Sequence, residues 1–213
     1  ANSTSEAIEL TQEAKNLGAD ACLLVTPYYN KPTQEGLFHH FKLIADSVDI
    51  DQILYNVPGR TAVNMSVETT ARLSEISNII GIKDATGDLT IIRELVKSCP
   101  EDFLLLTGDD ATALDFLLLG GHGGISVTAN VTPKELQKVY MTAIAGNAEV
   151  ARQANKELTN LHQNLFLESN PIPVKWALHK MGLCSKGIRL PLLELSSEFR
   201  PVIENDLKEL NLL

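Results

Sequence analysis

The chain has 213 residues, of which 44% are hydrophobic, and a formal net charge of −9 at pH 7. This length suits one large domain or two small ones, with ample apolar residues for a core. The negative charge, with no basic patch to offset it, argues against nucleic-acid binding. We expect neither a membrane span nor a signal peptide. Scattered cysteines without metal-ligand spacing favour reduced thiols and a cytoplasmic location.

The first part of the chain alternates predicted helices with predicted strands. Ser3 and Glu6 have the spacing of a capping box, so a helix should begin almost at the first residue. Residues 21–26 form an apolar run typical of a strand, and a polar loop with two adjacent tyrosines follows. An amphipathic helix is predicted over residues 37–48. The apolar positions of the first helix are Ala7, Leu10, Ala14 and Leu17.

The same strand–helix unit recurs at a spacing of roughly thirty residues, the size of a βα unit. Further strands are predicted at residues 52–56, 79–83, 103–107 and 124–128. Ser66 should cap the helix after the second strand, and Thr132 with Glu135 the helix after the fifth.

About five such units predict a parallel sheet, because βα crossovers are right-handed. A doubly wound open sheet and a TIM (β/α)₈ barrel both fit this pattern. The glycine pattern of a dinucleotide site is absent after every strand, which favours the barrel, or part of one. We therefore expect a barrel portion over residues 1–146.

The pattern changes after Gly146, and residues 147–213 are predicted to be a C-terminal helical region of three helices. The first is one long helix over residues 147–166. The second runs through Trp176 after a proline break, and the third begins near Ser197. This region should pack against the barrel or a partner subunit.

The most informative stretch is residues 79–87, an apolar strand that ends in Lys83 before a polar turn closed by glycine. The carboxyl end of a barrel strand is where chemistry is done. An apolar strand end disfavours the ammonium form, lowers the lysine pKa and supplies an amine that condenses with carbonyls. The alternative is a rim lysine whose stem packs on the sheet while its ammonium group reaches water.

Tyr55 ends the strand before the Lys83 strand, and neighbouring parallel strands lie ~5 Å apart. A phenol there could act as a proton shuttle, or simply pack at the strand end. Arg60, in the next loop, could hold a carboxylate through paired hydrogen bonds, or be a solvated loop arginine.

The loop and strand-end residues on the same edge give weaker signals. Tyr28 and Tyr29 fit either a subunit contact or simple packing, and Gly108 and Ile125 could shape a pocket without any chemical role. Two adjacent acids, residues 109–110, could suggest a metal but are more typical of a helix N-cap. The five histidines lack ligand spacing and are interpreted as structural.

Five segments together resemble the dihydrodipicolinate synthase (4-hydroxy-tetrahydrodipicolinate synthase) family, within the pyruvate-dependent class I aldolases that include N-acetylneuraminate lyase. The resemblance runs from the first residue to the last. The lysine motif alone also occurs in sialic-acid lyases and keto-sugar-acid aldolases, but the sialic-acid enzymes lack an arginine in the Pro-Gly-Arg-Thr position. The segments are Val25–Asn30, Leu54–Thr61, Gly81–Gly87, Gly108–Asp110 and Ser169–Lys175.

The resemblance implies a role for each candidate. Lys83 would form an imine with pyruvate, without metal or other cofactor, and Tyr55 would move protons. The resulting enamine would attack the aldehyde of aspartate semialdehyde. Tyr29 would reach a neighbouring subunit's site and complete a proton relay, in a dimer of dimers. The residues implied to bind the substrates are Arg60, Ile125 and Gly108.

In members of the family that are inhibited by lysine, the effector lies at the dimer contact. Asn2, Glu6 and Tyr28 match residues of that contact, so L-lysine is an expected feedback inhibitor. The first strands of the family's barrel, with their Gly-Thr-Thr-Gly-Glu loop, are missing from this sequence. We expect a longer parent chain rather than a true truncation.

The predicted function is the condensation that begins the diaminopimelate pathway to lysine. One alternative is another pyruvate-dependent aldolase that acts on a sialic acid or a keto-sugar acid. An alternative of another class is an inactive fragment or binding module that keeps the lysine but lacks the relay.

Overall fold

A computed structural model describes all residues 1–213, which form five strands and eleven α-helices. The strands are β1 Ala21–Val25, β2 Asp51–Asn56, β3 Ile79–Asp84, β4 Leu104–Thr107 and β5 Gly123–Gly124. The first seven helices are α1 Thr4–Asn16, α2 Gln34–Ser47, α3 Pro58–Thr61, α4 Val67–Ser74, α5 Leu89–Ser98, α6 Ala113–Leu118 and α7 Pro133–Ile144. The last four are α8 Ala148–Lys156, α9 Thr159–Asn164, α10 Ile172–Lys180 and α11 Arg200–Glu209, and a short 3₁₀-helix spans Thr128–Asn130.

The five strands form one parallel sheet in the order β1-β2-β3-β4-β5, with helix between successive strands. This arrangement confirms the predicted βα repeat. Gly81 permits the close approach of β3 and β4, because a Cβ atom there would lie 2.6 Å from the backbone oxygen of Leu104. No helix has both the length and the apolar character needed to cross a membrane.

The chain forms two compact units, residues 1–109 with 119–124, and residues 110–118 with 125–213. The predicted division into a barrel portion over 1–146 and a helical region over 147–213 stays a prediction. The whole sheet belongs to the first unit. Its core contains fully buried residues of the sheet and of the helices that cover it, among them Leu37, Phe41, Ile44, Leu54, Leu73, Ile82, Ile92 and Leu95.

The second unit has an all-helical core in two clusters. Apolar residues at helical spacing on α9, α10 and α11 build one cluster, as amphipathic helices must to remove their apolar faces from water. Its buried members are Val131, Leu161, Leu165, Val174, Ala177, Leu195, Ile203 and Leu207. The other cluster joins α6, α7 and α8 through Leu114, Leu117, Leu136, Val139, Ala143, Ala151 and Leu158.

The capping box predicted at the start of α1 does not form. Ser3 is the N-cap residue, but its side chain makes no capping bond and its hydroxyl lies 3.0 Å from that of Ser5. Leu10 is 51% exposed, because α1 buries a narrow face of Ala7 and Thr11 instead. Thr11 is tolerated in that face since its hydroxyl donates to the Ala7 carbonyl at 2.7 Å, which satisfies the buried polar group.

The predicted long helix over 147–166 is also wrong, and residues 147–213 carry four helices rather than three. The chain turns between α8 and α9, where the Leu158 amide bonds the Asn155 carbonyl at 2.9 Å, three residues back. This tighter bond interrupts the α-helical ladder and leaves Leu158 buried, with 1% of its surface exposed. The apolar spacing is nearly continuous across the turn, so it concealed the break.

The fifth strand is shorter than the predicted 124–128 because a side chain takes over its backbone bonds. The Asp110 carboxylate accepts hydrogen bonds from the amides of Val127 and Thr128 at 3.0 and 2.9 Å. The N-cap interpretation of residues 109–110 is therefore wrong for Asp110. Thr132 is the N-cap residue of α7, but its hydroxyl donates to the Glu135 carboxylate and accepts no backbone bond.

Candidate active site

Lys83 and Tyr55 lie side by side at the carboxyl ends of β3 and β2. The two residues are direct partners in the parallel ladder, and the Lys83 Nζ lies 4.0 Å from the centroid of the Tyr55 ring. Only 9% of Lys83 is exposed. The structure thus brings together the amine and the phenol that the sequence pattern placed on neighbouring strands.

Electrostatic effects act on both members of this pair. The electron-rich face of the Tyr55 ring attracts the ammonium group of the buried Lys83. Burial raises the pKa of the Tyr55 phenol, and the guanidinium of Arg60 partly offsets this rise in pKa. The phenol is therefore a weaker acid than an exposed tyrosine, and it is neutral at pH 7 as ordinary tyrosines are.

Gly108 leaves the space that the Lys83 side chain occupies. A Cβ atom at position 108 would lie 2.6 Å from Lys83 Cε and 3.0 Å from Ala85 Cβ. The Gly108 amide donates to the Asp84 carbonyl at 2.7 Å, which carries the ladder one residue past β4. The glycine at this strand end therefore leaves room for the lysine stem in its observed position.

A buried polar network, which the sequence analysis missed, lies one residue beyond the pair. Asn56 follows Tyr55 and Asp84 follows Lys83, and the Asn56 amide donates to the Asp84 carboxylate at 3.0 Å. Asn56 and Asp84 are 1% and 5% exposed. The signal was present in the sequence, since both polar residues directly follow the two candidate catalytic residues at the ends of buried strands.

Arg60 lies in α3, the short helix that follows β2. Arg60 is exposed, and its positive charge lowers the pKa of the Tyr55 phenol. The two side chains therefore lie at the same edge of the sheet. The helix ends at Ala62, whose φ of 60° turns the chain back toward α4.

The loop after β1 presents Tyr29 outward. Tyr29 is 88% exposed and has a φ of 73°, at the centre of a turn in which the Asn30 amide bonds the Tyr28 carbonyl at 2.9 Å. Such a φ is costly for a bulky residue. The Asn2 side chain donates to the Tyr28 carbonyl at 3.2 Å, so two of the three residues expected at the lysine effector site are in contact. The third, Glu6, is exposed in the first turn of α1.

Ile125 directly follows β5 in the chain, belongs to the second compact unit and is 44% exposed. Three of the five histidines have hydrogen-bond partners within the fold: His40 bonds Thr4, His122 accepts from the Leu105 amide, and His162 bonds Thr128. No group of three or more His, Cys, Asp or Glu side chains is arranged to hold a metal ion.

Comparison with known proteins gives one consistent family. The sequence model of the Dihydrodipicolinate synthetase family matches residues 1–210. The 4-hydroxy-tetrahydrodipicolinate synthase of Ruthia magnifica subsp. Calyptogena magnifica is 63% identical over 213 residues, which are 100% of this chain and 72% of that protein.

Solved structures share the fold. The chloride-inhibited dihydrodipicolinate synthase from Acinetobacter baumannii, complexed with pyruvate, matches with a TM-score of 0.97 at 55% identity, over 100% of this chain and 73% of that one. The enzyme from Cyanidioschyzon merolae with lysine bound matches with a TM-score of 0.96 at 39% identity, over 100% of this chain and 72% of that one. These matches support the TIM-barrel class expected from the sequence.

Proposed function

The chain belongs to the dihydrodipicolinate synthetase family, and from this premise we propose that it condenses pyruvate with L-aspartate 4-semialdehyde to give 4-hydroxy-tetrahydrodipicolinate. This lyase reaction is the first committed step of the diaminopimelate route to lysine. The observation that carries the proposal is the buried Lys83 amine lying 4.0 Å from the Tyr55 ring at the carboxyl ends of two neighbouring strands.

The chemistry begins with the neutral Lys83 amine, whose lone pair attacks the keto carbon of pyruvate. Loss of water from the carbinolamine gives a protonated imine, which withdraws electrons and makes the pyruvate methyl group acidic. Removal of a methyl proton yields an enamine, and its carbon attacks the aldehyde of the second substrate. The amino group of that substrate then displaces the lysine, which closes the ring and restores the enzyme.

Tyr55 supplies and removes the protons of these steps. Its phenol, whose pKa is raised by burial, is neutral in the resting enzyme and donates a proton to the departing water. The resulting phenolate takes the methyl proton and returns it to the new alkoxide. The protein needs no metal or other cofactor in this scheme, because the imine itself is the electron sink.

Other residues bind the substrates. Arg60 holds the carboxylate of aspartate semialdehyde through paired hydrogen bonds, while Gly108 seats pyruvate. The support for Arg60 is its place on the Tyr55 edge of the sheet, and the support for Gly108 is the space that it leaves for the lysine stem.

Tyr29 completes a proton relay in a neighbouring subunit, in a homo-oligomer that is a dimer of dimers. Its outward exposure and its left-handed backbone support this role. Packing within its own chain does not account for the strain, because the side chain is almost fully exposed. L-lysine binds as a feedback inhibitor at Asn2, Glu6 and Tyr28, and the enzyme acts in the cytoplasm.

Borohydride trapping tests the proposal. Incubation of the chain with pyruvate and sodium borohydride should add the mass of the reduced adduct to Lys83, and Lys83→Ala should abolish the adduct. Lys42→Ala, which removes a partly exposed surface lysine paired with Asp46, should leave trapping unchanged. An untrapped wild-type chain would favour the inactive fragment or binding module. Turnover with a sialic acid or keto-sugar acid, but not with aspartate semialdehyde, would favour the other aldolases.

A further inference from the structure

The Asn56 side chain is a fully used hydrogen-bonding hub at the end of β2. Its amide nitrogen donates to Asn64 Oδ1 at 2.8 Å and to Asp84 Oδ2 at 3.0 Å. Its carbonyl oxygen accepts from the Met65 amide at 3.0 Å. The residue is 1% exposed, so loss of any of these partners would leave a buried polar group unsatisfied and destabilise the fold.

These bonds close a loop around the candidate substrate arginine. Asn56 precedes segment 57–65, and its bonds to Asn64 and Met65 return the far end of that segment to the end of β2. Arg60 lies inside the closed loop. Because the guanidinium is carried by an exposed residue rather than packed in a core, the backbone of segment 57–65 determines where it can reach.

The third bond ties the same loop to the lysine strand. Asp84 follows Lys83 directly, and its second oxygen accepts from the amide of Thr86 at 3.0 Å and from the hydroxyl of Thr86. Asp84 is therefore fixed from the β3 side, and its bond from Asn56 joins the base of the arginine loop to the residue next to the amine.

We propose that Asn56 is a positioning residue that fixes the Arg60 loop against the Lys83 strand, and that it thereby controls binding of the carboxylate of the aldehyde substrate. This inference rests on the proposed function and deepens it. It assigns Asn56 no contact with substrate. A misplacement of about 1 Å at the guanidinium is enough to weaken a bidentate carboxylate contact substantially.

Asn78 provides the matched comparison, because it ties loops together at the opposite end of the same sheet. Its amide donates to the carbonyls of Ala45, Val48 and Ile50 at 3.0, 3.2 and 3.5 Å, just before β3 begins. None of its partners carries a candidate substrate contact. A purely structural asparagine should therefore behave like Asn78, and a positioning residue should not.

The test is an exchange of charge between Asn56 and Asp84. Asn56→Asp places a second carboxylate 3.0 Å from Asp84 Oδ2, which turns an attractive contact into a repulsive one. In the double variant Asn56→Asp/Asp84→Asn, the new amide donates back to the new carboxylate. The Met65 and Thr86 bonds still have oxygen acceptors, and a rotated Asn64 amide can donate to the new Asp side chain.

We expect the single variant to raise KM for aspartate semialdehyde at least about tenfold, with KM for pyruvate changed less than about twofold. The double variant should recover most of this loss. Asn78→Asp should lower the thermal midpoint without changing the ratio of the two KM values. An equal rise of both KM values, or the same ratio change in Asn78→Asp, would overturn the positioning role.

A second readout keeps this result separate from the proposed function. Amide hydrogen exchange over residues 58–65 should speed up in Asn56→Asp and return toward the wild-type rate in the double variant. If the wild-type chain fails to trap pyruvate, the proposed function fails, but exchange still reports on the loop. Unchanged exchange in Asn56→Asp would overturn the positioning role even in an active enzyme.

Discussion

The strand ends around Lys83 and the loop after β1 each carry a tyrosine, and the two tyrosines differ in burial and in backbone conformation. Tyr55 is half-buried, lies in regular strand geometry and contacts Lys83 within the same unit. Tyr29 is 88% exposed and has a φ of 73° in a tight turn. The sheet fixes the position of Tyr55, whereas Tyr29 is presented to solvent by a loop with a strained backbone.

This difference separates the pair that one chain assembles from the proposed role of Tyr29, which needs a second copy of the chain. Around Lys83, ladder pairing, Gly108 and the bond between Asn56 and Asp84 leave few degrees of freedom. Around Tyr29, the loop is joined to the start of the chain by the bonds from Asn2 to the Tyr28 carbonyl and from Asn30 to the Asn2 carbonyl, while the Tyr29 side chain itself is exposed. Three perturbations should affect these regions unequally, and an equal response would remove the distinction.

The largest effect is expected from Gly108→Ala, which acts only on the Lys83 region. The new methyl group would lie 2.6 Å from Lys83 Cε, so the lysine stem must move by several tenths of an ångström or more. We expect the rate of borohydride-trapped adduct formation with pyruvate to fall about 100-fold, since misplacement of a reacting group by 1 Å can cost that much.

Gly36→Ala is the matched control for this substitution. A Cβ atom at position 36 would meet its nearest neighbours, in Pro32 and Thr33, at an ordinary 3.4 Å. The control should trap pyruvate at the wild-type rate. Equal adduct formation in both variants would show that the space beside the lysine stem is not needed.

The Lys83 region was predictable because its signals are local and physically simple. An apolar run that ends in lysine defines a buried parallel strand, and consecutive βα units place Tyr55 on the neighbouring strand. Those two facts were enough to predict the contact that the ladder shows. The Ser66 cap was predictable for the same reason, since its hydroxyl accepts from the Thr69 amide three residues later.

The features that escaped prediction depend on residues distant in sequence. Asp110 ends β5 early by accepting bonds from amides 17 and 18 residues away, which no periodicity encodes. Asn56 and Met65 are nine residues apart, joined by a side chain that reads as an ordinary strand-end amide. The break after Lys156 escaped because a turn can keep the apolar spacing of a helix.

A pH change should distinguish the two regions through His40. Burial lowers the pKa of His40 to about 4, and its Nδ1 lies 2.9 Å from the Thr4 hydroxyl at the start of α1, close in sequence to Asn2. The neutral form is therefore favoured in the folded state. Stability is present above the unfolded pKa of about 6.5 and is lost as pH falls toward 4.

Between pH 7 and pH 5 we expect a loss of about 2 kcal/mol in the free energy of unfolding, measured by urea titration. Amide exchange should rise in residues 27–31 before it rises in residues 83–86. His40→Gln, which cannot be protonated, should remove this pH dependence. A pH effect that persists in His40→Gln, or that begins at Lys83, would contradict the expectation.

The smallest change in stability is expected from Tyr29→Gly, and its sign is the informative part. Glycine adopts a φ of 73° without steric cost, so relief of strain should offset the extra entropy of the unfolded chain. The free energy of unfolding should stay the same or rise by up to about 1 kcal/mol. Turnover with both substrates should nevertheless fall about tenfold or more, while trapping of pyruvate on Lys83 is retained. Stability and turnover that fall together would mean that Tyr29 supports the fold of its own chain, because a residue that acts in a neighbouring subunit can be removed without loosening the loop that presents it.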